Sequence, residues 1–347
     1  MEKNVDFEII FENKFNQIIG KTIAIVYIFE GDEELGLKHF FIWKSDIITK
    51  WMNAVQELSC HPLIIDVRTF VDKAVNKTLP NIDYVINLNS GTYDLSTMAL
   101  VPSVCSMIGV PCIPCDANAI TAGENKHLSN LIAFSLGLNV PRDKCLSSKD
   151  GIFRPINLGN SIGVQKGAPS NSMEGIYQEF ISGVEITTPL IFNPLTKRMD
   201  TYPSVAFLPI DYDINWFYDE TAKSKQKGYF FKEISLSAKL EEKLISLTDS
   251  LSIKTYCRID SRIKCESKKE MEELTNKEIP LSDAYFIEIN VMPTIRDNNS
   301  FHYSFDLAKQ NHKINHAFKN IAFLMGKVES LNIYNFLLAN AMMATLD

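Results

Sequence analysis

Short, uninterrupted runs of apolar residues dominate the first third of the chain. Such runs predict buried strands over residues 21–29, 62–67, 84–88 and 110–113. Between them, apolar residues recur with helical spacing over 46–59 and 100–108. Strands that alternate with helices predict an open parallel α/β sheet, with an insertion at 30–38 in its first crossover. Ligands of such sheets bind at the carboxyl ends of the strands, which points to segments 30–38 and 89–96.

The rest of the chain predicts a mixture of helices and strands. Amphipathic or apolar segments predict helices over 119–136, 239–251, 266–279, 318–325 and 331–343. Strands are predicted over 152–155, 175–181 and 185–192, and Pro189 should keep the last of them irregular or at a sheet edge. Residues 218–228 are polar and rich in lysine, without an apolar period, so a mobile loop is predicted there.

Two later segments alternate strictly between apolar and polar residues, as half-buried strands do. Arg258 and Asp260 share one face of the first, and Glu288 and Asn290 share one face of the second. The positions between them are expected to pack behind the sheet: Cys257, Ile259, Ile287, Ile289 and Val291. Two carboxylates and an amide oxygen on neighbouring strands suit Mg²⁺ bridging nucleotide phosphates. A solvated sheet face with ordinary ion pairs is the alternative for this pattern taken alone.

Composition and charge narrow the class of protein. The chain has 347 residues, of which 46% are hydrophobic, and this length suits two or three globular domains. Its net charge of −7 gives no electrostatic footprint for nucleic acid. The N-terminal residues lack the apolar core of a signal peptide, and no apolar run is long enough to span a membrane. We therefore expect neither a nucleic-acid nor a membrane partner.

The number and spacing of the cysteines indicate the redox state of the cellular compartment in which the protein functions. They number seven and are irregularly spaced, which favours reduced thiols in a cytoplasm. Cys112 and Cys115 form a C-x-x-C pair. A zinc site would need a second pair, and a redox dithiol would open a helix. Buried small side chains near a strand end are the favoured interpretation.

A turn over residues 157–163 suits a phosphate group. It contains Asn160 and Ser161 and follows Arg154. Small residues let backbone N–H groups approach phosphate oxygens, and Arg154 would add a bidentate contact. A hairpin without a ligand is the alternative.

The segment from 177 to 187 suits a nucleoside. A strand that breaks at Gly183 exposes a backbone edge, which offers a donor and an acceptor to adenine. Glu185 lies just beyond and is placed to take both ribose hydroxyls. An ordinary surface hairpin is the alternative.

Four segments occur in one order with compatible spacing. They begin at Arg154, at Gln178 and at Phe217, and the last is the strand pair that carries Arg258 and Glu288. Together they resemble the ATP-grasp superfamily, and within it the D-alanine–D-alanine ligase branch. The resemblance covers residues 21–304 and is strongest over 120–295. It implies an N-terminal open parallel α/β domain at 1–117, a small central subdomain at 118–192 and a C-terminal subdomain with the metal site at 193–347.

The resemblance also implies a reaction. In this family, ATP with Mg²⁺ or Mn²⁺ phosphorylates a carboxylate, and an amine then displaces phosphate from the acyl phosphate. Arg154 stands where the family usually has a second phosphate-binding lysine. The matching residues are Lys126, Arg154, Asn160 and Ser161 for the phosphates, Gln178, Glu179 and Ile181 for adenine, Glu185 for ribose, Lys223 on a closing loop, Arg258 for the oxyanion, and Asp260, Glu288 and Asn290 for the metal.

Segments that would face the organic substrates depart from the ligase pattern. Residues 29–34 replace a Gly-rich loop, 89–91 replace His-Gly, and 294–300 replace a Ser-rich loop, with Arg296 and Ser300 as candidate substrate residues. We therefore expect small-molecule substrates, an amino acid or related carboxylate and an amine, other than two D-alanines. A D-alanine–D-alanine ligase with divergent loops and a non-catalytic ATP-binding protein are the alternatives. Formation of a homodimer stays open.

Overall fold

A computed structural model describes residues 2–28, 44–91, 95–147, 150–159, 161–169, 174–218, 222, 227–310 and 316–346. Three sheets and their surrounding helices make up this part of the chain. The insertion at 30–38 and two predicted site residues, Asn160 and Lys223, lie outside the described residues.

The predicted parallel sheet of the N-terminal third is present. Its strands are β1 (Thr22–Tyr27), β2 (His61–Asp66), β3 (Tyr84–Leu88) and β4 (Cys112–Ile113). They lie in the order β2-β1-β3-β4, and every pair is parallel. All of β3 is buried, which explains why its sequence is apolar without alternation.

Helices of this region are α1 (Glu2–Ile18), α2 (Ser45–Glu57), α3 (Val67–Val75), α4 (Leu95–Met98) and α5 (Leu100–Ile108). The structure confirms the predicted α2 and α5, whereas α1 and α3 were not predicted. Only Phe70 and Ala74 of α3 are buried, so its apolar period is too short to recognise. Its start is set by Asp66, whose side chain accepts a hydrogen bond from the N–H of Thr69.

A small antiparallel sheet follows two short helices. The helices are α6 (Ala117–Glu124) and α7 (Lys126–Ser135), and the strands are β5 (Gly151–Pro155), β6 (Gln165–Lys166) and β7 (Gly175–Glu179). The strand order is β6-β5-β7. The prediction of one helix over 119–136 is wrong. Asn125 has an extended backbone, and its side chain accepts a hydrogen bond from the N–H of Leu128. Asn125 is therefore an N-cap that separates the two helices.

The largest sheet has seven strands. They are β8 (Gly183–Asn193), β9 (Arg198–Thr201), β10 (Ser204–Pro209), β11 (Tyr229–Leu236), β12 (Tyr256–Lys264), β13 (Glu278–Ile279) and β14 (Ala284–Asn290). The order is β13-β11-β10-β8-β12-β14, and β9 pairs with β8 outside this path. The predicted neighbouring strands with Arg258 and Glu288 are therefore β12 and β14.

The expectation that Pro189 makes its strand irregular or peripheral is wrong, because β8 is central in this sheet. On one side, β12 pairs along its length. On the other side, β10 pairs as far as Thr187 and β9 pairs from Leu190 onward. Pro189 falls between these two partners, where its missing N–H interrupts neither ladder.

The remaining helices include α8 (Ala238–Ser250), α9 (Lys268–Glu273), α10 (Ser300–Gln310), α11 (His316–Met325) and α12 (Ile333–Ala344), with 3₁₀ turns at Leu274–Asn276 and Leu281–Asp283. Every residue of α12 is buried, as expected for a helix that is apolar on most sides. Tyr334 of α12 packs edge-on against Trp51 of α2, with the ring centres 5.1 Å apart. None of the described helices is both long enough and apolar enough to cross a bilayer.

All seven cysteines are free thiols. Cys115 is buried and Cys112 is half-buried at the end of the parallel sheet. A hydrogen bond with Cys105, together with burial, raises the pKa of Cys112, and burial raises that of Cys115. Both thiols are therefore protonated near neutral pH, which agrees with small packed side chains.

Candidate active site

One cavity lies between the small sheet and the β12–β14 pair and extends to the loop after β14. Every predicted site residue that the structure describes lines it. These residues are Lys126, Arg154, Ser161, Gln178, Glu179, Ile181, Glu185, Arg258, Asp260, Glu288, Asn290, Arg296 and Ser300. The fold thus brings together residues from the small sheet, the seven-stranded sheet, the start of α7 and the loops beside them.

Asp260 accepts four hydrogen bonds within the cavity. β12 and β14 place it opposite Glu288, and Arg258 opposite Asn290. Its Oδ1 accepts hydrogen bonds from Arg258 Nε at 2.9 Å and from the hydroxyl of Thr187. Its Oδ2 accepts from Arg258 Nη2 at 2.7 Å and from Asn290 Nδ2 at 2.9 Å. Burial is the largest influence on the pKa of Arg258 and would lower it, but the carboxylates of Asp260, Glu288 and Glu185 together outweigh burial and raise the pKa.

A β-bulge in β14 lies beside this pair. The pairing register shifts between Asp260 and Ser261, so Ile287 has no partner on β12. Its carbonyl accepts a hydrogen bond from Arg154 Nη1 at 2.7 Å. Ile287 therefore lines the cavity, and the expectation that it packs behind the sheet is wrong. Strict alternation fails at a bulge because one strand contains an extra residue.

Arg154 connects the small sheet to β14. Its Nη2 donates to Gln178 Oε1 at 2.6 Å, while its Nη1 holds the Ile287 carbonyl. The residue is only 5% exposed, so water has little access to these two hydrogen bonds. The guanidinium lines the cavity, but the predicted bidentate contact with phosphate would compete with both bonds.

Lys126 is the first residue of α7, directly after the Asn125 cap. Its Nζ donates to the carbonyl of Leu158 at 2.6 Å and lies 3.4 Å from Glu288 Oε2. Leu158 belongs to the turn predicted to bind phosphate. Lys126 therefore places a buried positive charge between that turn and a predicted metal ligand.

Side chains of the predicted adenine segment bond to the backbone of residues 141 and 142 and so fix the segment in place. Gln178 Nε2 donates to the carbonyl of Pro141 at 3.0 Å, and Glu179 Oε1 accepts from the N–H of Arg142 at 3.0 Å. Gly183 follows with φ of 132°, and a Cβ there would lie 2.0 Å from the carbonyl oxygen of Ile263. Only glycine fits at this break in the strand.

The sequence analysis missed one residue that lines the cavity, Arg262, and one buried neighbour of Glu288, which is Glu124. Arg262 lines the cavity and lies directly opposite Glu185 on the neighbouring strand. The alternation of apolar and polar residues that identified Arg258 and Asp260 continues to residue 262. This pattern could have identified Arg262 from the sequence. Glu124 accepts a hydrogen bond from the N–H of Val291 at 3.0 Å. Burial raises its pKa to about 7, and its proximity to Glu288, which also raises that pKa, is visible only in the fold.

The far end of the cavity is formed by the loop after β14. Arg296 and Ser300 line it together with Asp297. Asp297 Oδ2 accepts a hydrogen bond from Lys50 Nζ of α2 at 2.6 Å. Asn299 closes the loop on itself, since its Oδ1 accepts from the N–H of His302 and its Nδ2 donates to a loop carbonyl.

Segment 89–96 does not contribute to this lining as far as the structure describes it. Asn89 instead stabilises its own turn. Its Oδ1 accepts from the N–H of Gly91 at 3.0 Å, and its Nδ2 donates to the carbonyl of Thr97 at 2.7 Å. A ligand-binding role for the end of β3 therefore stays a prediction.

Three oxygen-bearing side chains could hold a divalent cation. Asp260, Glu288 and Asn290 supply hard oxygen donors with two negative charges, which fits Mg²⁺ in type and charge. Because Asp260 already accepts four hydrogen bonds, a cation would replace at least one of them. The set leaves ligand positions for water and phosphate oxygens. Among the described residues, no group of three or more His, Cys, Asp or Glu side chains is arranged to hold a metal ion.

Comparisons with known proteins point to one group. No protein-family model matches the chain. The sequence is 24% identical over 269 residues to a D-alanine–D-alanine ligase of Wolbachia pipientis (strain wPip, from Culex pipiens), an alignment that covers 70% of this chain and 79% of the relative. The fold matches the D-alanine–D-alanine ligase of Bacillus anthracis complexed with ATP, with a TM-score of 0.58, 14% identity and coverage of 93% and 98%. This chain has the ATP-grasp fold and resembles the D-alanine–D-alanine ligases.

A second structural relative is not a D-alanine ligase. The L-amino acid ligase of Bacillus licheniformis matches with a TM-score of 0.51 and 15% identity, over 93% of this chain and 74% of that chain. At such identities the ATP-grasp fold is shared, while the substrates differ among the relatives. The expected fold class, a parallel α/β sheet followed by mixed ATP-binding sheets, is confirmed.

Proposed function

We propose that this chain is an ATP-dependent, ADP-forming ligase that joins a carboxylate to an amine through an acyl phosphate. The observation that carries the proposal is a single cavity in which Lys126, Arg154 and Arg258 face the carboxylates Asp260 and Glu288. Catalysis of phosphoryl transfer depends on well-positioned charges more than on covalent participation of protein side chains. The ATP-grasp ligases that share the fold give this arrangement its chemical context.

Two bond exchanges make up the proposed reaction. A carboxylate oxygen of the first substrate attacks the γ-phosphorus of ATP, the bond to the β-phosphate oxygen breaks, and ADP leaves. The neutral amine of the second substrate then attacks the carbonyl carbon of the acyl phosphate. Phosphate leaves with the electrons of the broken C–O bond, the nitrogen loses a proton, and an amide remains.

The residues take roles that follow from their positions. Lys126 would neutralise phosphate oxygens beside the 157–163 turn, and Glu185 would bind the ribose. Arg258 would stabilise the oxyanion of the tetrahedral intermediate, since its guanidinium lies on the same strand face as Asp260. We also propose that Asn160 contacts phosphate and that Lys223 closes over the nucleotide, and both lie outside the described residues.

A divalent cation belongs to the proposal. Asp260, Glu288 and Asn290 would hold Mg²⁺ or Mn²⁺ against the phosphates, and the cation would supply charge neutralisation at the transferred phosphoryl group. Arg258 would lose part of its bond to Asp260 when the carboxylate turns to the cation. Its guanidinium would then have donors for the substrate.

The substrates are proposed to be an amino acid or related carboxylate and an amine. The relatives include a D-alanine–D-alanine ligase and an L-amino acid ligase, which favours an amino acid as one substrate. Arg296 at the far end of the cavity favours a substrate with an anionic group, because a guanidinium binds carboxylate or phosphate through two parallel hydrogen bonds.

We propose that the domain boundaries lie after residues 117 and 192. The active site then lies between the central and C-terminal subdomains. Free thiols and the use of ATP favour a cytoplasmic location. The substrates of the proposed reaction are small molecules, and a homodimer is compatible with it.

The test is a panel of D- and L-amino acids and amines, incubated with purified protein, ATP and Mg²⁺. Phosphate release, ADP and product mass are measured, and hydroxylamine is added to trap an acyl phosphate as a hydroxamate. The expected product has the mass of the carboxylate substrate plus the amine substrate minus one water. One ADP should be formed for each product molecule. D-Alanyl-D-alanine as the preferred product would identify the alternative ligase. ATP binding without turnover across the panel would support a non-catalytic protein and contradict the proposal.

A further inference from the structure

We infer that Arg262 is the positioning residue of the nucleoside pocket, and that it selects ribonucleotides by orienting Glu185. This inference rests on the proposed use of ATP. Arg262 is 5% exposed and lines the same cavity as Ile181 and Glu185. It extends the strand face that carries Arg258 and Asp260 by one further alternation.

The guanidinium of Arg262 holds three main-chain carbonyls from two separate segments. Nε donates to Ile181 at 2.7 Å, and Nη2 donates to Gly183 at 2.9 Å and to Trp216 at 3.0 Å. Residues 181 and 183 flank the strand break, whereas 216 leads into the aromatic wall of the cavity. Arg262 therefore fixes both sides of the place where a base would enter.

These bonds also bear on which backbone atoms can read the base. The carbonyls of Ile181 and Gly183 already accept from Arg262, and the carbonyl of Ser182 accepts from the N–H of Cys265 at 3.0 Å. One acceptor position on each of these oxygens is therefore occupied. Arg262 does not hold the carbonyl of Phe180, so we expect that carbonyl to accept from the 6-amino group of adenine. The ring of Phe180 lies 4.8 Å from the Arg262 guanidinium.

The remaining nitrogen of Arg262 faces the proposed ribose ligand. Arg262 and Glu185 are direct cross-strand partners, and Nη1 lies 3.6 Å from Glu185 Oε2. Nη1 finds no hydrogen-bond acceptor within the described residues. A fixed cation beside one carboxylate oxygen limits the rotation of the Glu185 side chain. The second oxygen can then be presented to the 2′- and 3′-hydroxyls in one orientation.

Only arginine can carry out this set of contacts. Its planar fork provides donors in three directions, so one side chain can bond to three carbonyls and still face a carboxylate. A lysine at 262 would retain the charge near Glu185 but could not bridge both segments. A methionine would retain the volume and lose both functions.

The experiment measures equilibrium binding of ATP and 2′-deoxyATP, with Mg²⁺, to wild type, Arg262→Met, Arg262→Lys and the control Lys264→Met. Lys264 lies on the same strand, but its side chain is 52% exposed and pairs with Glu266. Circular dichroism and thermal unfolding check the fold of each variant. Binding is measured rather than turnover, so that no organic substrate is required.

Wild type and Lys264→Met should prefer ATP over 2′-deoxyATP by about ten-fold, the value of one hydrogen bond to a charged group. Arg262→Met should weaken ATP binding by about ten- to a hundred-fold and reduce the preference to less than about three-fold. Arg262→Lys should be intermediate in both. This second variant tests the inference if the methionine variant does not fold.

The possible outcomes are distinguishable. A folded Arg262 variant that binds ATP as wild type does would overturn the inference. So would a variant that loses affinity for both nucleotides but keeps the wild-type preference, because Arg262 would then support the fold without orienting Glu185. Failure of the wild type to bind ATP would overturn the proposed function itself, and this inference with it.

Discussion

The two ends of the cavity are held in different ways. At the end proposed to bind the nucleotide, called the nucleotide end, Arg154 and Arg262 are each 5% exposed and donate to main-chain carbonyls. At the end proposed to bind the organic substrates, called the substrate end, the Lys50–Asp297 pair has side chains that are 31% and 61% exposed. Buried donors are costly to remove, whereas exposed ion pairs contribute little. Amino-acid substitutions that alter the choice of substrate should therefore be tolerated best in the loop after β14. Substitutions at the nucleotide end should destabilise the protein.

The largest effect is expected at the metal set between the two ends. Glu288→Gln removes a negative charge from the proposed cation site while preserving shape. We expect kcat to fall by about 10²–10³-fold, because charge stabilisation at the transferred group is lost. Glu266→Gln is the matched control, since the Glu266 side chain is exposed and forms an ion pair with the exposed Lys264. A folded Glu288→Gln enzyme with normal turnover would contradict the metal assignment.

The rigidity of the nucleotide end can be tested at Gly183. An alanine Cβ there would lie 2.0 Å from the carbonyl oxygen of Ile263, with φ at 132°. Gly109 also has a positive φ, of 73°, but a Cβ there meets nothing within 4 Å. Gly109→Ala should cost about 1–2 kcal/mol from its backbone conformation alone. Gly183→Ala should cost about 4 kcal/mol or more, because backbone atoms must move apart.

Urea unfolding of both glycine variants measures this difference. Nucleotide affinity of Gly183→Ala should also fall, since Gly183 and Ile181 are held by the same guanidinium. Equal loss of stability in the two variants would show that the strand break at the nucleotide end can relax. The comparison of a rigid and an exchangeable end would then fail.

The same contrast explains what the sequence could predict. Arg258, Asp260, Glu288 and Asn290 were found because they lie on regular strands, where alternation determines the face of each side chain. Ile287 was assigned to the wrong face because a bulge adds one residue to β14, and nothing in its composition marks that residue. An open parallel sheet was predictable as a class, whereas its strand order and the pairing of β8 with both β9 and β10 were not.

Loops and partners distant in sequence were beyond prediction. The contact between Lys50 and Asp297 joins positions from opposite parts of the chain, so no local pattern reveals it. Asn125 could have been recognised as an N-cap, but the continuous apolar spacing on both sides concealed the break. The proximity of Glu124 to Glu288 depends on how α6 packs on β14, which composition does not specify.

A moderate effect is expected at the substrate end. Arg296→Ala should raise the KM for one organic substrate by about ten- to a hundred-fold, the value of a hydrogen-bonded contact to a charged group. The KM for ATP should change little, because Arg296 lies on the loop after β14 and not beside the adenine segment. Arg198→Ala, an exposed arginine paired with Glu242, is the control. If both organic KM values stay unchanged, substrate recognition must lie outside Arg296.

The smallest effect is expected at the Lys50–Asp297 pair. Lys50→Met should change kcat/KM by less than about three-fold, because exposed ion pairs contribute roughly 0–1 kcal/mol. The hydrogen bond from Lys50 lowers the pKa of Asp297 below its ordinary value of 3.8. The folded protein therefore binds this proton less tightly than the unfolded chain does, and the pair stabilises the fold above about pH 4. As pH falls through the lowered pKa, that contribution disappears.

Thermal unfolding of wild type and Lys50→Met between pH 3 and pH 7 follows this change directly. A small difference in Tm should be present at pH 5–7 and should shrink as the pH falls through the lowered pKa of Asp297, because protonation of the carboxylate removes the ion pair. Salt should reduce the difference, since the pair is exposed. A large difference in Tm that does not vary with pH would mean that Lys50 stabilises the loop through packing on Tyr334, whose ring centre lies 5.8 Å from its Nζ. The substrate end would then be as firmly held as the nucleotide end.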